Sequence, residues 1–189
     1  MSALPAVSTR LSVSDPFRTE VPARLAAVVS VLLFGASFGF FYAWVCSTMW
    51  GLDATDPRTA IAAMQAMNAN VRNPVFFVIF FLPPVAGAVT ALLAWSAGYR
   101  RAALVSAVSS LVYAAGVIYF TSAVNLPMND ALAAVVIPSG VDEAARIWRD
   151  YSQPWQVANI TRTVFSGIAL TGIALTVLDL GRNRIGGPR

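Results

Sequence analysis

Histidine and lysine are absent from this 189-residue chain, and cysteine occurs once, at Cys46. A lone cysteine excludes an intrachain disulfide. Without histidine and with one thiol, a protein-ligated zinc, copper or iron–sulfur site is excluded, as is a haem held by two histidines. Charge is scarce as well. Charged residues make up 12% of the chain, about half of the ~25% usual in a soluble domain. Every basic residue is an arginine, and the formal net charge is +4. The arginines are scattered around the ends of apolar runs rather than gathered on one face, so the basic balance does not indicate a nucleic-acid partner.

What is present is apolar. Hydrophobic residues are 57% of the chain and the mean hydropathy is +0.66. That places the chain among integral membrane proteins. The N-terminus does not read as a signal peptide. Its first apolar run begins near Leu25 and stays uncharged for 22 residues to Cys46, too long for a cleaved hydrophobic core. Residues 1–24 and 181–189 read as cytoplasmic ends, disordered in part, flanking a membrane domain over 25–180.

Four hydrophobic segments predict four transmembrane helices, about 25–50, 74–96, 102–124 and 155–180, each near the ~20 residues a span needs. Pro74 suits the first position of a helix. Arg10, Arg18, Arg24, Arg100, Arg101, Arg182, Arg184 and Arg189 fall on one side. Arg58, Arg72, Arg146, Arg149 and Arg162 fall on the other, with most of the acids. By the positive-inside rule both termini are cytoplasmic, and the longer connections 51–73 and 125–154, with short amphipathic helices, face outward. Gly35 and Gly39 form a small-xxx-small pattern that predicts close approach of a neighbouring helix. Pro83-Pro84 predicts a kink whose freed carbonyls need partners. No internal repeat is visible, which disfavours an inverted-repeat transporter, and the lack of acids within the spans disfavours a channel.

Three outer segments carry polar chemistry. Ile61, Met64, Gln65 and Asn68 share one helical face, which predicts a short helix that tucks Gln65 and Asn68 toward the bundle. Asn125-Leu126-Pro127-Met128-Asn129-Asp130 follows the third span. Pro127 is expected to end that helix, with the asparagines satisfying loose carbonyls. Trp148, Tyr151 and Trp155 fit an interfacial aromatic belt. Arg162 stands out, because the apolar run after it, Thr163–Leu178, has 16 residues and covers roughly 24 Å. A cation at such a border is costly unless it pairs or lines a wet cavity. Its nearest expected partners are Asp130, Asp150, or the amides of Asn125, Asn129 and Gln65. Partnered by Asp130 it would be a structural clamp; facing a ligand oxygen it would be a site.

The motifs Met64-Gln65/Asn68, Asn73-Pro74, Asn125/Pro127/Asn129-Asp130 and Pro154-Trp155/Asn159/Arg162-Thr163, in that order across four spans, resemble the anthrone oxygenase-like family. The likeness covers roughly residues 25–180. It implies a four-span bundle. It also implies a cofactor-independent monooxygenase that oxidises an anthrone-like or other aromatic polyketide substrate, with no metal and no cofactor. Such a site needs a base, donors for an enolate oxygen and a flat apolar cavity. Arg162, Asn159, Asn125 and Asn129 are the candidate donors. Asp130 is the candidate base, with Asp150 second. Gln65, Asn68, Met64, Tyr42, Trp155 and Met128 are the candidate substrate-binding residues. The alternative is a non-catalytic accessory or lipid-binding protein of the cell membrane. Its partners would be the bilayer, a hydrophobic small molecule or lipid, and a membrane-protein partner or second copy.

Overall fold

A computed structural model describes residues 16–182, with side chains from Glu20 onward; of the expected cytoplasmic ends 1–24 and 181–189, residues 1–15 and 183–189 lie outside the described residues, and 16–24 belong to the first helix. Within them the chain is helical and contains no strand. Seven α-helices assemble into four long rods and one short helix. The first rod is α1 (Pro16–Ala43), a π-helical stretch (Trp44–Thr48) and α2 (Met49–Asp53). Next come the short α3 (Pro57–Asn70) and the second rod, α4 (Pro74–Ser96). The third rod is α5 (Arg100–Tyr113), π-helical stretches at Ala114–Tyr119 and Thr121–Asn125, and α6 (Leu126–Ala133). The fourth is α7 (Val141–Arg182). All four rods are long and apolar enough to cross a membrane.

Local chemistry fixes the helix ends. Asn73 Oδ1 accepts from the Phe76 N–H at 3.1 Å with Pro74 at the first helical position, a capped start for α4. Asp56 caps α3 by accepting from the Arg58 N–H at 2.9 Å. The Arg58 side chain bonded to it holds the Asp56 carboxyl well below its ordinary range, at about 2. The turn after α4 is a Schellman motif. Tyr99 N–H reaches Ala94 O and Gly98 N–H reaches Trp95 O, with Gly98 at φ +86°, where a side chain would be strained.

The rods pack in chain order around a square, first on second, second on third, third on fourth and fourth on first. This is an up-and-down bundle. Its outward faces are apolar, with Leu25, Leu32, Leu92, Leu104, Leu111 and Ile168 among the exposed residues. Its seams carry small and hydroxyl residues, as expected where lipid supplies no hydrophobic drive between helices. Ser30 and Thr90 hydrogen-bond at 3.0 Å, and Ser106 donates to Gly87 O at 2.8 Å.

Core side chains grow along the bundle axis. At the end bearing the 97–99 turn (the turn end), Ala23, Ala27, Ala94, Ala102 and Ala103 let the rods close up. Midway, Phe34, Phe41, Phe80, Tyr113 and Ile173 take their place. At the opposite, loop end, Met49, Ile61, Met64, Trp148, Tyr151 and Trp155 form the core. Bulkier side chains require wider spacing, so the bundle opens toward its loop end.

The structure departs from the sequence expectation at several places. Gly35 and Gly39 have open space where a Cβ would stand, so no helix approaches them closely; the tight contacts lie at Gly87, Gly116 and Gly172. Pro127 does not end the third rod, which runs on to Ala133. Pro127 stands in the first turn of α6, where a missing N–H is tolerated, and just before it the Thr121 and Ser122 hydroxyls bond back to Val117 O and Ile118 O. Trp148 and Tyr151 are buried in the loop-end core rather than placed in a belt, because α7 starts at Val141 and α3 and α6 pack over it.

Candidate functional site

Where the rods diverge, a cavity of about 400 Å³ lies between the loop-end halves of the second and third rods. α4 supplies an aromatic wall, Phe76, Phe77, Phe80 and Phe81. Their i, i+1, i+4, i+5 spacing puts all four on adjoining faces of one helix. Phe40 and Trp44 come from the first rod, Met67, Asn68 and Val71 from α3 and its end, and Thr121, Ser122, Leu126, Asn129 and Asp130 from the third. Trp155, Asn159 and Arg162 come from one face of α7.

Arg162 is the unusual member. It is 6% exposed and has no carboxylate partner among the described residues. One terminal nitrogen donates to Asn159 Oδ1 at 3.0 Å, and the other reaches Thr121 Oγ1 at 3.5 Å. Its Nε is buried and has no hydrogen-bond partner among the described residues. Two rings carry part of the charge: the guanidinium carbon lies 4.8 Å from the Phe41 ring centre and 5.4 Å from that of Trp155. Asn159 is pinned in turn, donating to Phe41 O at 3.1 Å. Its amide oxygen therefore orients the guanidinium rather than neutralising it.

A second polar group borders the same space. Asn129 Oδ1 accepts from Trp155 Nε1 at 3.0 Å and from the Tyr151 hydroxyl at 2.9 Å, and Asn68 donates to that hydroxyl at 3.3 Å. The Asn129 carbonyl is saturated, while its NH₂ makes no hydrogen bond among the described residues. At the rim, Arg72 pairs with Asp130 at 3.3 Å. The charged lining groups are thus Arg72, Asp130 and Arg162, and Arg162 is left uncompensated.

Among the sequence candidates, Arg162, Asn159, Asn129, Asp130, Asn68 and Trp155 line the cavity. The others lie elsewhere. Gln65 donates to Leu132 O and Val135 O at 2.9 Å, tying α3 to the end of α6. Met64 is fully buried in the loop-end core, and Met128 packs against that core. Tyr42 is 50% exposed and stacks on Phe38. Asn125 is buried with neither amide atom hydrogen-bonded. None of the expected Arg162 partners is its partner. Asp130 is taken by Arg72 and Asn129 by the two aromatic donors, while Asp150 is exposed.

Sequence reasoning missed the phenylalanine wall, although its spacing was a readable signal. It also missed Asp53, whose carboxylate accepts from Trp148 Nε1, Ser152 Oγ and Gln156 Nε2 at 2.7–2.9 Å and fastens the first rod to α7. No cluster of three His, Cys, Asp or Glu side chains suited to a metal occurs among the described residues.

Fold and site together define a multi-pass membrane protein with an aromatic cavity built around a buried, oriented cation. The chain belongs to the anthrone oxygenase family, whose model matches residues 76–172. That stretch contains the phenylalanine wall, Thr121–Asp130 and Trp155–Arg162, whereas Phe40, Trp44, Asn68 and Arg72 lie before it. No curated protein and no solved structure matches the chain.

Proposed function

We propose that the cavity is the active site of a cofactor-independent monooxygenase acting on an anthrone-like or other aromatic polyketide substrate. The observation that carries this reading is Arg162, a buried guanidinium with no carboxylate partner among the described residues, bordering an aromatic cavity of about 400 Å³. That volume is within the roughly 300–1,000 Å³ typical of small-molecule sites. An anthrone methylene is acidic because its carbanion is delocalised onto the carbonyl oxygen. Donors aimed at that oxygen stabilise the charge as it forms. Arg162 and the free NH₂ of Asn129 supply them, and Asn159 positions Arg162. Asp130 is the carboxylate of the lining and takes the role of base, and the phenylalanine wall holds the flat rings. The enolate then gives its electrons to dioxygen. Loss of water from the resulting hydroperoxide leaves the quinone carbonyl, so methylene plus O₂ becomes carbonyl plus H₂O with no outside reductant.

The test is oxygen uptake by purified protein supplied with emodin anthrone. Turnover is expected well above the spontaneous rate, falling by about 100-fold or more in Arg162→Gln, the usual loss for one oxyanion donor. A rate equal to the spontaneous one, or unchanged in the variant, overturns the reading.

A further inference from the structure

We infer that the cavity is loaded sideways from the bilayer, through the gap between the second and third rods, and that its ligand is a lipophilic weak acid bound as an anion. This rests on the proposed function only in taking the cavity as a ligand site; it requires no oxidation.

The route follows from which parts of the two rods touch. Toward the turn end they are fastened. Ser106 bonds to Gly87 O, the Tyr113 hydroxyl reaches Phe80 O at 3.1 Å, and alanines fill the seam. Beyond Phe80 the rods part, and α4 meets little more of the third rod than the π stretch Ala114–Tyr119. The residues along this gap are cavity-lining and outward-facing at once: Phe77 is 45% exposed, Phe81 46% and Leu126 36%, with Ser122 beside them. On a rod that crosses a bilayer, such a face meets acyl chains. The watery end has the opposite character. There Arg72, just before α4, reaches Asp130 on α6 and bridges the rim with an ion pair. A lipophile therefore finds an apolar mouth toward the membrane and a charged one toward water.

The ligand class follows from what waits inside. A buried cation is costly unless an opposite charge or strong acceptor meets it. Two ring faces and one amide serve Arg162, and the Asn129 NH₂ makes no hydrogen bond among the described residues. An anion satisfies both. A permanent anion crosses acyl chains poorly, whereas a phenol, enol or carboxylic acid travels neutral and gives up its proton beside the guanidinium.

The experiment uses the full chain in phosphatidylcholine nanodiscs, with anthracenecarboxylic acid and its neutral methyl ester as fluorescent probes. The acid is expected to bind at least about tenfold more tightly than the ester, a difference of about 1.4 kcal/mol, and Arg162→Gln should remove that preference. Equal affinity for both probes overturns the ligand class. For the route, Ser122→Trp and, separately, Leu126→Trp should slow both association and dissociation of the acid, as a narrowed passage does, whereas Arg72→Ala should slow neither. Faster association in Arg72→Ala with no slowing in either tryptophan variant shows entry from water and overturns the route. Two portal variants, each checked for an unchanged melting temperature, separate plugging from misfolding. Binding without oxygen uptake leaves this inference standing and removes the proposed reaction; no binding of either probe removes this inference.

Discussion

Arg162 poses the energetic question at the level of single residues. A clamp and a site make opposite demands on stability. In a clamp, the guanidinium satisfies a buried acid, and removing it strands that acid at a cost of about 3–5 kcal/mol. Here the contacts are two rings, Asn159 and a long reach to Thr121. Replacing such a charge by an apolar side chain of similar volume relieves its desolvation, so Arg162→Met is expected to keep or raise the melting temperature while abolishing turnover. Thermal unfolding in detergent checks this, and a fall of many degrees would reinstate the clamp. The position of Arg162 was legible in the sequence because a charge interrupting an apolar run is conspicuous. Of its partners, Asn159 and Trp155 were legible too, at helical spacing on its own face; those on other rods were not. Charge logic selects carboxylates, yet Asp130 is held near the surface by Arg72, and the contacts that matter come from Phe41 and Thr121, far away in the chain.

Proline pairs and glycines act at the level of elements. Pro83 and Pro84 lack the N–H groups that would bond Ile79 O and Phe80 O. The Tyr113 hydroxyl lies 3.4 Å and 3.1 Å from those two carbonyls and 2.6 Å from Ser37 Oγ. With its proton toward α4, Tyr113 accepts from Ser37, and one phenol joins three rods. Tyr113→Phe should therefore cost about 1–3 kcal/mol, the penalty for unsatisfied buried groups. In a Pro83→Ala, Pro84→Ala background, where backbone donors return, the same change should cost distinctly less; equal costs in this double-mutant cycle would disconnect the tyrosine from the prolines. The glycines give a second contrast. Gly116→Ala would drive a Cβ into the base of the Phe165 side chain and should cost about 1–3 kcal/mol. Gly35→Ala and Gly39→Ala meet nothing and should gain up to about 1 kcal/mol from helix propensity. Loss of stability at Gly35 or Gly39 would instead mark that face as a contact with another chain. The rods themselves were readable from hydropathy. Their polar extensions were not, because 126–133 and 141–154 are helical through tertiary packing against α3 rather than through any apolar run of membrane length.

The taper that opens the cavity belongs to the whole molecule, and it gives the bundle a direction. Small residues close the turn end and aromatic ones spread the loop end, so the cavity sits in one half only. Which leaflet that half occupies decides the side of the membrane that the cavity faces. Arg100, Arg101 and Arg182 gather at the turn end with Asp179, and Arg100 rests over Trp95 at 5.2 Å, an arrangement suited to an interface rich in anionic headgroups. The positive-inside rule predicts a cytoplasmic turn end and a cavity in the outer half of the bilayer. With Cys46 replaced by serine, the chain has no thiol, so single cysteines report their side directly. Ser139→Cys, exposed in the connection before α7, should react with a membrane-impermeant maleimide on intact cells. Ser96→Cys, exposed at the turn, should react only after permeabilisation. The reverse pattern would place the cavity in the cytoplasmic leaflet, where a lipophilic acid made inside the cell would reach it without first crossing the membrane.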